Sequence, residues 1–359
     1  MNAHHVVLGC IVLVTACSPA PRPATLTMDR LDSLFADFSR PGMPGASVLV
    51  VRNDSAIVRA SYGLADVDSA APVTPATNFR LASLSKQFTA MSVLQLVAEG
   101  KVLVHDQASK YLPELPAFAH AVTVQHLLTH TSGLSDYEDF VPDTQTYQVH
   151  DADVLTLIAA RSESLLFAPG TAWRYSNTGY ALLSLIVERV SGRPFADVLR
   201  TRIFEPVGMA HTVAHQDGRT VIAHRAYGHG VHGGTVERTD QSNTSAVLGD
   251  GGIYSSIDDL TAWDAALTRS SLLPDSLWRE ATTPFVLRDG HPTQYGYGWF
   301  VDTFAGERRM RHHGETRGFT NIIYRFPARR LTIVVLTNRS DSAPWERADR
   351  MATLLLGAH

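Results

Sequence analysis

Lysine is scarce in this sequence, and its placement is the first pointer to chemistry. Only Lys86, Lys101 and Lys110 occur, so nearly all fixed positive charge is arginine. A position that keeps lysine is a candidate for losing its proton, which arginine cannot do. Of the three, only Lys86 has a serine three residues earlier, in Ser83-Leu84-Ser85-Lys86. If Ser83 opens a helix, residues three apart share a face and Nζ of Lys86 can reach Oγ of Ser83. The positive end of the helix and burial both disfavour the ammonium form. A neutral or proton-sharing lysine can then draw the proton from an otherwise weak serine nucleophile. The Ser83 N–H at such a terminus would face a developing oxyanion. Taken alone, the spacing fits equally well a capping serine followed by a solvated lysine.

Two further groups bear on that choice. Tyr175-Ser176-Asn177 is the only Tyr-x-Asn in the chain; it follows Pro169-Gly170 and precedes an apolar helical run. A tyrosinate held near a lysine is a competent general base, and an asparagine amide can orient both the lysine and a substrate carbonyl. The segment also fits Asn177 as the cap of a helix from Thr178 with Tyr175 packed beneath, and both readings can hold. His312-His313-Gly314 closes a strand-like run from Glu307. Glycine there lets a substrate backbone approach the strand edge, which would place the Glu315 N–H as second oxyanion donor beside that of Ser83. His232-Gly233-Gly234 is a competing match, in a Gly- and His-rich loop with His224 and His229 that does not read as a strand. A metal on that loop would need a carboxylate at ligand spacing or an H-E-x-x-H, and neither is present.

The elements that must carry these groups follow from periodicity. Leu31, Leu34, Phe35 and Phe38 recur at helical spacing. Ala46 to Arg52 and Ala56 to Gly63 read as strands paired around Asn53-Asp54. Leu84 to Glu99 reads as an apolar helix ended by Gly100, and helices are expected at Val124–Leu128, Val154–Ala160, Thr178–Val190 and Ser256–Leu267. Strands are expected at Gly296–Asp302, Glu307–Gly314, Asn321–Phe326 and Leu331–Thr337, and a closing helix at Arg347–Leu355. The order strands, helices, strands predicts an α+β fold, an antiparallel sheet flanked by helices and interrupted by a mostly helical lobe at about 105–245.

Composition narrows the function. The chain is 45% apolar and 18% charged, with a net charge of −4, and it has no basic run, which sets nucleic acid aside as a partner. Val6 to Val14 is an apolar stretch too short to remain as a span, and residues 1–16 read as a secretion signal. Val14-Thr15-Ala16-Cys17 resembles a lipoprotein box, which would make Cys17 a lipidated first residue, followed by a Pro-rich tether to residue 27 and a single hydrolase domain over 28–359. A plain cleaved signal with Cys17 incidental is the alternative. The two cysteines are Cys10 inside the signal and Cys17 at its end, so the expected mature domain has no thiol nucleophile and any acyl-transfer nucleophile is an oxygen.

S-x-x-K, then Y-x-N, then a strand with Lys/His-x-Gly is the ordered triplet of the serine β-lactamase and penicillin-binding superfamily. The surrounding segments resemble its class C-like branch of class C β-lactamases, D-aminopeptidases, DD-carboxypeptidases and β-lactamase-like esterases. These segments are His126-Leu127-Leu128-Thr129-His130-Thr131-Ser132-Gly133-Leu134, Tyr175 to Tyr180, Glu205-Pro206-Val207-Gly208-Met209, Gly251 to Ser255 and His312 to Phe319. The resemblance implies Ser83 as acylated nucleophile, Lys86 and Tyr175 as the base pair, Asn177 as substrate-side amide, His312 in the place of the K-T-G lysine, and Glu315 as oxyanion donor. It implies an active site between the lobes, a small-molecule or peptide substrate, and no metal or cofactor. The departure is that no lysine follows Lys110. Histidine is charged only below about 6.5 in ordinary surroundings, so ester, D-amino-acid amide and peptide substrates stand beside β-lactams. A surface-anchored binding protein for peptidoglycan peptides, without turnover, is the alternative from another class.

Overall fold

The computed structural model describes residues 26–357 except 143, 162, 163 and 217. The leader and Cys17 lie outside the described residues. A six-stranded sheet organises the rest, in the spatial order Phe300–Phe304, Glu307–Thr316, Phe319–Phe326, Leu331–Thr337, Ala46–Arg52, Ser55–Tyr62. Every adjacent pair is antiparallel. The two N-terminal strands thus close a sheet whose other four strands come from the end of the chain, and most of the helical segments lie between them in sequence, as the α+β expectation required.

Side chains alternate across the strands and divide the core in two. Val48, Val50, Ile333, Val335, Ile322 and Tyr324 face the helices Met28–Leu34 and Pro344–Leu356, meeting Leu31, Phe35, Ala348 and Met351. Leu49, Val51, Val334, Leu336 and Ile323 face the opposite way and join a larger core with Leu84, Phe88 and Trp263. The strand Leu331–Thr337 is buried throughout. That is why it reads as a continuous apolar run instead of an alternating one.

Helix Lys86–Ala98 lies in the larger core and is buried on all sides over its first nine residues, the environment of a helix apolar all round. Helix Ile257–Thr268 is pinned to the sheet by Asp264, which accepts from Arg325 at 2.8 Å and from Thr332 at 2.6 Å.

Three expectations need correction. The strand expected at Gly296–Asp302 runs from Phe300 to Phe304. Gly298 has φ +77°, and the Gly296 N–H donates to the Trp299 carbonyl at 2.9 Å, so a turn occupies the glycine-rich start. The His-rich loop does contain a strand, His229–His232, paired with Thr235–Arg238; His232 lies at the end of that hairpin. Finally, Ser83 does not open an α-helix. It sits in a 3₁₀ turn, Ala82–Ser85, that runs into the helix beginning at Lys86.

Candidate active site

The 3₁₀ turn improves the serine–lysine geometry, because side chains at i and i+3 eclipse in that helix type. Lys86 is fully buried, and its Nζ donates to Ser83 Oγ at 3.0 Å, to Asn177 Oδ1 at 2.8 Å and to the Asp250 carbonyl at 3.0 Å. Three donated hydrogens use the full capacity of an ammonium group. The buried Lys86 nitrogen is therefore within hydrogen-bond reach of three oxygens.

Each oxygen is delivered by a separate device. Helix Asn177–Ser191 is capped by Ser176, whose Oγ accepts from the Gly179 N–H. The capping alternative for Asn177 is thereby corrected. As the first helical residue it leaves its amide free for Lys86, while its own N–H donates to Asp136 Oδ2 at 2.8 Å. Asp250 arrives on the glycine run 249–252. A Cβ on Gly249 would lie 2.3 Å from the Tyr180 carbonyl, so only glycine permits that approach. Asp151 fixes the same segment by accepting from the Leu248 and Gly249 N–H groups, both at 2.9 Å.

Gly314 has a different reason from the one expected. A Cβ there would lie 2.1 Å from the Leu81 carbonyl. The glycine lets the strand Glu307–Thr316 press against the turn that carries Ser83, and the close approach is by the protein's own backbone. Ser83, Asn177, Glu138, Thr244, Glu315 and Thr316 then line one cleft.

Tyr175 reaches the group from the other side. Its ring centroid is 4.9 Å from Lys86 Nζ. Its hydroxyl is buried and has no hydrogen-bond partner among the described residues. His312 is placed differently from expectation. It is fully buried, with Nδ1 2.6 Å from the His313 carbonyl and Nε2 2.9 Å from the Tyr295 hydroxyl. A carbonyl only accepts, so Nδ1 carries the hydrogen and Nε2 accepts from Tyr295. Burial holds this imidazole well below its usual pKa, with His313 and Lys86 adding to the effect. A buried, neutral ring is no receptor for a substrate carboxylate, and the substrate-side place of the K-T-G lysine implied for His312 is corrected on that ground.

Glu138, Asp250 and Glu315 line the cleft instead. Burial raises the carboxyls of Asp136 and Glu138. It raises that of Asp250 to about 8, against the opposing pull of Lys86. Glu138 lines the cleft together with Ser83 and Asn177. Among the described residues no group of three or more His, Cys, Asp or Glu side chains could hold a metal ion, and no helix is long and apolar enough to cross a membrane.

The chain matches the Beta-lactamase family over residues 31–358. It belongs to that family. This β-lactamase-family chain is 30% identical over 332 residues to penicillin-binding protein 4* of Bacillus subtilis, covering 89% of its own length and 73% of that protein. It is 31% identical over 328 residues to the D-aminopeptidase of Gluconobacter oxydans, covering 88% of itself and 59% of that enzyme, so it spans about three fifths of that relative. The fold is that of the penicillin-binding protein homologue from Pyrococcus abyssi, with a TM-score of 0.81, 24% identity, and 92% and 78% of the two chains covered. The chain is accordingly a serine hydrolase of the β-lactamase-related type.

Asp136, Glu138 and the Asp250 carbonyl were not singled out from sequence. The first two fall in the loop 135–149, whose course no periodicity gives. The third is a main-chain oxygen, and the glycine run around it was its one available signal.

Proposed function

We propose that this enzyme cleaves amides or peptides, and the corresponding esters, whose acyl residue bears a free amine, of the D-aminoacyl class. The observation that carries this reading is Glu138. Its carboxylate stands in the cleft with Ser83 and Asn177, the amide that contacts Lys86. A substrate ammonium placed there gains a charge-assisted hydrogen bond, whereas a carboxylate-bearing β-lactam would meet Glu138 and find no cation at His312. The D configuration rests on the D-aminopeptidase relatives.

In the proposed reaction Ser83 Oγ bonds to the substrate carbonyl carbon while its proton passes to the Tyr175–Lys86 pair, with Tyr175 as the base. The Ser83 and Glu315 N–H groups hold the oxyanion. Tyr175 then gives the proton to the leaving nitrogen as the C–N bond breaks. Water attacks the acyl ester, loses its proton to Tyr175, and Ser83 recovers that proton as the acid departs. The Ser83–Lys86–Asn177 arrangement supports turnover over a binding protein without it. We also propose export of the chain, with Cys17 as its lipid attachment point in the periplasm; incorporation of a labelled fatty acid that Cys17→Ala abolishes tests this.

The test of substrate class is steady-state hydrolysis of D-alanine p-nitroanilide, its L isomer, its N-acetyl derivative and nitrocefin. The reading requires the highest kcat/KM on the free D-aminoacyl compound. Preference for the N-acetyl compound or nitrocefin contradicts it.

A further inference from the structure

Tyr175 has no hydrogen bond at its hydroxyl, so its position must be set from its backbone and ring. The backbone on either side ends on one residue. The Arg174 N–H donates to the His130 carbonyl at 3.0 Å, and the Ser176 N–H donates to His130 Nδ1 at 3.1 Å. Two bonds from one side chain and one carbonyl thus bracket Tyr175 in sequence. The imidazole also packs on the phenol, with centroids 4.3 Å apart, and lies 4.4 Å from Tyr295 and 5.1 Å from Tyr180.

We infer that His130 is a positioning residue for Tyr175, holding the general base by accepting the Ser176 N–H at Nδ1. This rests on the assignment of Tyr175 as base. Two costs borne at His130 support it. Its φ is +59°, in the left-handed region uncommon for any residue but glycine. Its Nε2, which must carry the hydrogen if Nδ1 accepts, is buried without a partner among the described residues. Core packing alone would be met by an apolar side chain, which leaves no buried polar atom unpartnered. The titratable groups facing the ring are Lys86, Tyr175, Tyr180, Tyr295 and His312, with the Trp173 ring edge-on at 6.1 Å. Burial and the Lys86 charge keep the imidazole neutral, so the Nδ1 lone pair stays available.

His130→Asn and His130→Gly separate the bond from the packing. Both residues accept positive φ, and the asparagine Oδ1 keeps an acceptor near the place of Nδ1. Steady-state kinetics should show kcat for His130→Gly reduced about 30- to 100-fold with KM changed less than about threefold, and kcat for His130→Asn restored to within about fivefold of wild type. An asparagine variant no better than the glycine one, or a glycine variant within threefold of wild type, overturns the inference. If His130→Gly does not fold, residue-resolved hydrogen exchange on the wild-type enzyme decides. Protection of the Ser176 amide comparable to that of Arg174 is required, and free exchange overturns it. Tyr175→Phe distinguishes the two levels. Its inactivity beside an active His130→Gly removes the positioning role alone, whereas an active Tyr175→Phe removes the base assignment beneath it.

Discussion

The Lys86 ammonium donates to Oδ1 of Asn177 at 2.8 Å, joining residues 91 positions apart. One end of the contact starts the helix Lys86–Ala98 and the other starts the helix Asn177–Ser191. The same ammonium holds Ser83 Oγ, so the nucleophile's orientation depends on a residue contributed by the helical segment. Loss of Asn177 should therefore affect chemistry more than binding.

Asn177→Ala is expected to lower kcat by about 100-fold, the scale seen when one preorganised polar group is removed from an acyl-transfer site. The fold should be intact by circular dichroism. A variant with kcat within threefold of wild type would show that the contact is incidental.

Gly314→Ala tests why the strand carries glycine. The added methyl would stand 2.1 Å from the Leu81 carbonyl, and main chain cannot yield as a flexible side chain can. Overpacking of this kind costs about 1–3 kcal/mol, and the high end is expected here. Urea unfolding measures the loss, and activity should fall with it because the strand and the Ser83 turn are forced apart.

The fold was legible in the sequence where side-chain period does the work. Leu331–Thr337 and Ala46–Arg52 were readable to the residue. The first strand of the C-terminal sheet was displaced because Gly298 makes a turn that apolar patterning does not reveal. Ser83, Lys86 and Asn177 were readable because lysine is rare and spacing on a helix fixes who can touch. The burial of His312 was not, since the Tyr295 hydroxyl that holds it comes from a segment with no periodic signal. The acidic lining from Glu138 was missed for the same reason.

Glu138→Gln removes the cleft carboxylate without changing its volume. KM for D-aminoacyl p-nitroanilides should rise about tenfold, the equivalent of one charge-assisted hydrogen bond, with little change for N-acetylated analogues. An equal rise for both substrates would remove Glu138 from amine recognition.

Asp250 gives a pH signature in stability. Its carboxyl is raised by burial to about 8, from about 3.9 when free. A group raised in the fold stabilises fully below its unfolded pKa, and that contribution is lost as pH climbs through the folded value. Wild-type stability should therefore fall between about pH 4 and pH 8. Asp250→Asn, which keeps an oxygen for the Tyr137 hydroxyl, should lose at least about 1.4 kcal/mol less than wild type over that window. Urea unfolding at pH 5 and pH 8 checks the sign, and parallel losses in the two proteins would contradict it.

The most direct test of the central claim is intact mass after exposure to a fluorophosphonate, followed by peptide mapping, on wild type and Ser83→Ala. The account predicts a single adduct in the wild type, on the peptide holding Ser83, and none in the variant. An unlabelled wild type, or an adduct that survives in Ser83→Ala, would contradict it.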